Sequence, residues 1–229
     1  MDDAFPSPAT WRDWALLASN VLCEILSRIP QADILRGAGA GLVCKSWRRV
    51  AVEENLLWRR IDLAAAAEDK EKDGEKDFGR DGPAGWQAMA RAAVDRSAGR
   101  CESFRGRADG EFLIYLADRS PSLRSLHLTS YFYMDREEFN TAVIKKLPLL
   151  EHLVLSRGIF GKECLEALLE HCPRLQLVDA AGCVTFGAIG IKFVERCKSR
   201  IKELRMPRLT GDCPCCVEYS QRWADQHHE

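Results

Sequence analysis

The residues best suited to metal chemistry lie near the end of the chain, where three cysteines precede two histidines. They are Cys213, Cys215, Cys216, His227 and His228. Zinc takes four thiolate or imidazole ligands in a tetrahedron, and about two to four residues usually separate its paired cysteines. A Cys-x-Cys-Cys run is more tightly spaced than that, and two adjacent histidines rarely reach one ion. The sequence therefore favours a thiol-rich tail over residues 210–229 and no metal site.

Sequence patterns typical of catalysis are missing from the chain. It has no Gly-x-Ser-x-Gly, no glycine-rich phosphate loop and no His-Glu-x-x-His. Cys164 lies on an apolar helical face, where a thiol acts as a small core residue. We therefore expect a binding protein rather than an enzyme, with no cofactor and no obligate small molecule.

The overall composition limits where the protein works. The 229 residues are 46% hydrophobic and 29% charged, with a net charge of −1, so no general attraction to nucleic acid or membrane is expected. An acidic N-terminus argues against a secretory signal, and there is no apolar run long enough for a membrane span. We expect ten reduced cysteines and an intracellular location, in the nucleus, the cytoplasm or both.

Residues 16–58 carry three short helical patterns. The first covers 20–28, with Asn20 as its N-cap, and Pro30 ends it. A second begins near Ala32, and a third covers 42–50 with Trp47 on its apolar side. Three helices this short cannot shield all of their apolar groups. Part of their apolar surface is therefore expected to meet a partner protein.

This segment resembles an F-box, the motif that docks a protein onto the Skp-type adaptor of a cullin-based ubiquitin ligase. The resemblance implies an adaptor-binding role for twelve residues, which are Leu16, Leu17, Val21, Leu22, Ile25, Leu26, Ile29, Pro30, Leu35, Val43, Trp47 and Trp58. Two features depart from the family pattern. Ala18 replaces the usual proline. The run 37–41, three of whose five residues are glycine, makes the segment about two residues longer than the family pattern, and glycine disfavours a helix there.

An internal repeat occupies the second half of the chain. A Leu-x-x-Leu-x-Leu pattern starts at Leu123, Leu150, Leu175 and Ile201, in steps of 25 to 27 residues, which is the range of leucine-rich repeats, about 20–29 residues. Helical patterns are predicted at 87–97, 111–119, 136–146, 162–171 and 186–197. Prolines before three of the strands end the preceding helices. The repeats predict parallel strands that alternate with helices in a stacked arc.

The Cys172-Pro173-Arg174-Leu175 run and Cys183 resemble the cysteine-containing class of leucine-rich repeats. With the N-terminal motif, the chain resembles the plant F-box/leucine-rich-repeat proteins of the Skp-interacting-partner type. The predicted fold is α/β, a three-helix F-box followed by a short repeat solenoid. The predicted segments are a flexible N-terminus (1–10), the F-box (11–63), a charged disordered linker (64–85), the repeat arc (86–209) and the C-terminal tail (210–229).

The outward-facing strand residues are candidates for binding a target. Alternation along each strand points the leucines inward and places one central residue per repeat on the open face. These residues are Arg105, His127, Val154, Asp179 and Arg205. The resemblance implies a substrate receptor that joins an unknown target to the adaptor and, through it, to a cullin scaffold for ubiquitination. The alternative is a repeat scaffold outside any ligase, in which Ala18 and the glycine run have cost adaptor binding.

The segment 192–208 holds seven basic and two acidic side chains. Arg205 and Arg208 would suit a phosphorylated target, since guanidinium groups bind phosphate in a bidentate way. A solvated basic face at the end of the arc is the interpretation we favour.

Overall fold

A computed structural model describes residues 14–36, 43–64, 85–132, 136–185 and 189–209. The predicted flexible N-terminus, the glycine run, nearly all of the charged linker and the Cys/His tail fall outside the described residues. No described helix has the length and apolar character needed to cross a membrane.

Three short α-helices form the N-terminal part of the structure. They are α1 (Ser19–Leu26), α2 (Gln31–Leu35) and α3 (Lys45–Glu53). Short 3-10 turns flank them at Trp14–Leu16 and Asn55–Trp58. Pro30 stands directly before α2, where its missing amide donor costs nothing.

The predicted start of the first helix was wrong. Ala18, in an extended conformation, is the N-cap of α1 and makes no side-chain cap bond, and Asn20 lies inside the first turn. The third helix also begins later than predicted, at Lys45 rather than residue 42. The α1 carbonyl ladder starts at Ala18, whose oxygen accepts from the amides of Val21 and Leu22 at 3.0 and 3.1 Å.

Two tryptophans tie the N-terminal helices together. Trp58 is fully buried, and its indole N–H donates to the Ala51 carbonyl at 3.0 Å. Trp47 is 9% exposed and donates to the Trp14 carbonyl at 2.9 Å. Each ring thus buries a large apolar surface while its polar atom keeps a partner.

A parallel sheet forms the rest of the fold, and every strand pair in it is parallel. Its main order is β1-β2-β3-β4-β5-β7, and β6 pairs with β4 and β8. The strands are β1 (Arg60–Asp62), β2 (Ser103–Gly106), β3 (Ser125–Phe132), β4 (His152–Ile159), β5 (Leu177–Asp179), β6 (Cys183–Thr185), β7 (Glu203–Arg205) and β8 (Arg208–Leu209). Parallel strands joined through helices confirm the predicted α/β repeat fold.

The first strand of this sheet lies within the predicted N-terminal domain. β1 follows Trp58 directly and pairs with β2 in register, Arg60 opposite Ser103 and Asp62 opposite Arg105. Residues 60–62 lack a Leu-x-x-Leu pattern, so the repeat spacing did not indicate that they form a strand of the same sheet. The N-terminal helices therefore run straight into the sheet.

One inward-facing residue from each strand builds the core of the sheet. Ile61, Phe104, Leu126, Leu153 and Val178 are paired in register and at most 1% exposed. The last member of this ladder, Leu204, is only partly buried because β7 is the final strand of the main order.

The connecting helices follow the predicted pattern with two differences. They are α4 (Trp86–Arg96), α5 (Gly110–Arg119), α6 (136–146), α7 (Lys162–His171) and α8 (Ile191–Arg200). Only the first three residues of α6 are α-helical, and a π-helical and a 3-10 turn complete it. The predicted helix 186–197 starts at Ile191, after Gly190, and ends at Arg200.

Five cysteines are buried in the repeat core. Cys101, Cys164, Cys172, Cys183 and Cys197 are at most 5% exposed. Burial raises the pKa of Cys101, Cys172 and Cys183 to about 12, so these thiols stay protonated and unreactive at neutral pH. Cys23 and Cys44, in the N-terminal helical part, are half-buried.

Candidate interaction surfaces

Helix α1 separates a buried stripe from an apolar flank. Leu22 and Leu26, four residues apart, are 1% exposed. Val21 and Ile25 lie one step round the helix, and Val21 is 42% exposed while Ile25 is partly buried. The stripe packs against the chain's own core, which leaves the flank to face outward.

More exposed apolar residues lie in the same helical unit: Leu16 is 81% exposed, Val43 is 57% exposed, and Trp14, two residues before Leu16, is 58% exposed. We call Leu16, Leu17, Val21, Ile25 and Val43 the apolar flank. Isolated exposed aliphatic residues are ordinary, but several within one small helical unit indicate a surface that another protein covers.

The twelve residues predicted to bind an adaptor fall into three groups. Leu22, Leu26, Trp47 and Trp58 are buried in the chain's own core, so they support the surface and do not form it. Leu17, Ile25, Ile29 and Leu35 are half-buried, and Leu16, Val21, Pro30 and Val43 are exposed. The helical periodicity predicted one wide apolar stripe and did not distinguish its buried centre from its exposed edge.

The five predicted outward residues of the repeats form one row across the sheet. Successive strand pairs place Arg105 opposite His127, His127 opposite Val154, Val154 opposite Asp179 and Asp179 opposite Arg205. All five are exposed or half-buried. Their role in target binding stays a prediction.

A sixth member of this row was missed by sequence reasoning. Asp62 of β1 lies opposite Arg105, and its exposed side chain faces the same way. Nothing in the repeat pattern pointed to it, because β1 precedes the first recognisable repeat. We call the six residues the strand row: Asp62, Arg105, His127, Val154, Asp179 and Arg205.

An ion pair joins the two residues at each end of the strand row. Arg105 Nη1 lies 3.1 Å from Asp62 Oδ2, and Arg205 Nη1 lies 3.0 Å from Asp179 Oδ2. Exposed pairs of this kind contribute about 0–1 kcal/mol to stability, so they can exchange partners at little cost. The strand row therefore offers one acid and one base at each end, with His127 and Val154 between them.

His127 is the titratable group at the centre of the row. Partial burial, and then the neighbouring Arg105 charge, lower the pKa of its imidazole below the ordinary value of 6.5. The ring is therefore neutral at pH 7, and its Nε2 lies 3.4 Å from Ser156 Oγ. A neutral imidazole offers one donor and one acceptor without adding charge.

The described residues contain no candidate metal site. No group of three or more His, Cys, Asp or Glu side chains is arranged there to hold an ion. The Cys213–His228 set, for which the sequence favours no metal site, lies outside the described residues.

Comparison with known proteins identifies the N-terminal segment of the chain. A family model described as F-box-like matches residues 14–64, the segment that holds α1 to α3 and β1. The match covers the apolar flank and ends where the parallel sheet begins.

Relatives from Arabidopsis thaliana match more of the chain. The putative F-box/LRR-repeat protein 23 is 36% identical over 167 residues, which cover 72% of this chain and 34% of that protein. F-box protein SKIP19 is 34% identical over 168 residues, or 72% and 50%. The chain thus matches a third to a half of the length of these two relatives. The putative F-box/LRR-repeat protein 21 is 35% identical over 276 aligned positions, covering 89% of this chain and 84% of that protein. The chain therefore belongs to the family of plant F-box/LRR-repeat proteins.

Proposed function

We propose that this protein is the substrate-recognition subunit of a Skp–cullin–F-box ubiquitin ligase. Its F-box binds a Skp-type adaptor, and its repeats bind a target protein that is then ubiquitinated and degraded. The observation that supports this most is the exposed apolar flank on helices whose sequence matches the F-box-like family.

The adaptor covers the apolar flank in this proposal. Leu16, Val21 and Val43 supply the exposed aliphatic groups, and Leu17 and Ile25 lie half-buried beside them. Burying one such side chain removes water from apolar surface and contributes about 1.5–3 kcal/mol when complete. The buried side chains of Trp47 and Trp58 support the helices that carry the flank from the core side.

The two departures from the family pattern bear on this surface differently. Ala18 keeps the extended conformation that a proline would also adopt, with φ −60° and ψ 144°. Its replacement of proline therefore leaves the backbone entry into α1 unchanged. The glycine run lies outside the described residues.

Catalysis in this proposal is a matter of proximity. The chain contributes binding surfaces, and other subunits carry the ubiquitin. Holding the target beside the loaded carrier raises the effective concentration of its lysines. The intracellular location, in nucleus or cytoplasm, is part of the proposal.

Charge substitutions on the apolar flank test the adaptor interface. Leu16→Asp and Val21→Asp each place a charge where an apolar contact is expected, and we expect each to weaken adaptor binding about tenfold or more. The measurement is co-purification of the full chain with a plant Skp-type adaptor, followed by titration calorimetry.

Ile191→Asp is the matched control. Ile191 is 78% exposed but lies at the start of α8, in the last repeat. It should bind adaptor like the unsubstituted chain. Equal binding by all three variants would contradict the assignment of the flank, and absence of adaptor binding by the unsubstituted chain would leave the non-ligase repeat scaffold as the function.

A further inference from the structure

A cleft of about 800 Å³ lies where the F-box meets the first strands of the sheet. Ile29 and Leu57, both half-buried, supply accessible apolar surface on its floor, and Leu26, Ile34 and Trp58, at most 5% exposed, lie beneath that surface. Leu56, 60% exposed, stands at its edge. No residue of the described chain fills this space.

The cleft opens on the opposite side of α1 from the apolar flank. Cys23 and Ser27, one step round the helix from Leu22 and Leu26, line the cleft, whereas Val21 and Ile25 do not. Leu16, Leu17 and Val43 also take no part in its lining. Four of the twelve residues that the resemblance assigned to adaptor binding do line the cleft: Leu26, Ile29, Pro30 and Trp58. An adaptor that contacts only the apolar flank would leave the cleft open.

The rim of the cleft carries an excess of positive charge. Three guanidinium groups line it, on Arg28, Arg60 and Arg105, against two carboxylates, on Glu24 and Asp62. Arg28 pairs with Glu24 at 2.6 Å, and Arg105 pairs with Asp62 at 3.1 Å.

Arg60 is the rim arginine without an ion pair in the described ranges, and it is exposed. The carboxylate that its charge reaches, Glu102, is already paired with Arg59 at 2.6 Å. The backbone carbonyl of Arg60 is fixed by Gln31 Nε2 at 2.9 Å, so the base of the side chain is held in place. A ligand carboxylate would therefore find a positioned arginine beside an apolar floor.

The cleft is continuous with the strand row. Asp62 and Arg105 both line the cleft and are the first two members of the row. From Asp62 to Arg205 the row crosses six strands, about 24 Å at about 4.8 Å per strand, which an extended segment of about seven residues would span. A chain lying along the row thus reaches the cleft at one end.

We propose that the cleft is a specificity pocket that takes an acidic residue next to a large aliphatic residue, presented by an extended segment of the target protein. The acidic side chain pairs with Arg60, and the aliphatic side chain packs against Ile29 and Leu57, above the buried Leu26 and Trp58. The identification of the occupant as a target of the ligase rests on the proposed function. The preference for an acidic residue beside an aliphatic residue rests only on the residues that line the cleft.

Cys23 provides a reporter inside the cleft. It is half-buried and lines the cleft, whereas Cys44 is half-buried and does not. Burial, with Glu54 and Glu24 nearby, raises the pKa of the Cys23 thiol, so alkylation is followed at mildly alkaline pH. Peptide mass mapping reads the iodoacetamide labelling of both thiols in one sample of the full chain.

The probes are heptapeptides of glycine and serine that carry one Asp-Leu pair, with matched Asn-Leu and Asp-Ser peptides. At millimolar concentration, Asp-Leu should slow labelling of Cys23 but not of Cys44, and either matched peptide should do so less. Arg60→Glu should weaken Asp-Leu protection about tenfold or more, since a favourable charge contact becomes a repulsive one. Arg49→Glu, an exposed arginine of α3 away from the cleft, is the control and should leave protection unchanged.

Equal Cys23 labelling with and without Asp-Leu would overturn the proposal, as would equal effects of Arg60→Glu and Arg49→Glu. Loss of protection when a saturating Skp-type adaptor is added would also overturn it, because the cleft would then belong to the adaptor interface. The same preparations are assayed for adaptor binding. Protection of Cys23 by Asp-Leu in a chain that binds no adaptor would contradict the ligase function but would support the specificity pocket.

Discussion

Gly182 lies against the backbone of strand β4. A Cβ built on this residue would stand 1.8 Å from the Ser156 carbonyl oxygen and 2.6 Å from its carbonyl carbon. Since both atoms belong to the backbone, no side-chain rotation relieves the contact. Glycine at this position is thus a requirement of the stacking between neighbouring repeats.

Gly182→Ala should therefore destabilise the fold. Overpacking of this kind costs about 1–3 kcal/mol, which lowers the melting temperature by about 2–4 °C per kcal/mol for a chain of this size. Gly190→Ala is the control, because a Cβ there meets nothing within 4 Å and the φ of −58° suits alanine. Thermal unfolding by circular dichroism compares the two, and equal melting temperatures would contradict the close approach.

His127 gives a prediction for pH. Its folded pKa is lowered, mainly by burial and then by Arg105, so protonation is easier in the unfolded chain. Its contribution to stability is therefore complete above the unfolded value of 6.5 and is lost as pH falls below it.

NMR titration of the His127 ring protons should give a pKa below 6.5 in the unsubstituted chain. Arg105→Gln removes a neighbouring positive charge, so the pKa should rise while staying below the ordinary value, because burial remains. A His127 pKa that does not change with this substitution would show that the two side chains do not interact.

At the scale of elements, Gln31 joins the F-box to the sheet. Its Nε2 donates to the carbonyls of Leu57 at 2.7 Å and Arg60 at 2.9 Å, and its Oε1 accepts from the Asp62 amide at 2.7 Å. One side chain at the start of α2 thus satisfies backbone groups of the 3-10 turn and of β1. This contact sets the position of the sheet relative to the adaptor-binding helices.

Gln31→Leu keeps a similar volume but leaves these backbone groups without their partner. We expect a loss of about 1 kcal/mol in the free energy of unfolding, because the bond to the Leu57 carbonyl is part-buried while the other two are exposed. Chemical denaturation measures it. Gln176→Leu, which removes a single exposed bond from Lys202 at 3.0 Å, should cost less, and an equal cost in both variants would contradict the joining role.

Sequence periodicity predicted most of the elements but not their boundaries. The α7 range matched the prediction. Its apolar face is regular, and Pro173, two residues after its last residue, marks where the helix must end. The π-helical turn of α6 was not predictable, since Phe139, Val143 and Ile144 keep the spacing of an ordinary helix while all three are buried. Tertiary packing decided that local geometry.

In the whole molecule, the strand row and the cleft lie next to each other because the F-box helices lead directly into β1 of the sheet. The repeat spacing predicted the strand row, because alternation fixes which residues face outward. The cleft was not predictable, since it combines α1 and α2 with β1 and β2, and its lining residues Asn20 and Arg105 lie 85 positions apart in sequence. The split of the F-box residues into core and flank likewise needed the packing of α3 against α1.

Hydrogen–deuterium exchange of the full chain, with and without a purified plant Skp-type adaptor, measures whether the apolar flank is the adaptor interface. Adaptor binding should slow exchange in the segments 16–26 and 43–53, which carry the apolar flank and its support. Exchange in 125–128 and 152–155, the central strands, should not change. No change at 16–26 and 43–53, or slower exchange only in the strands, would contradict the account of this protein as an adaptor-bound receptor.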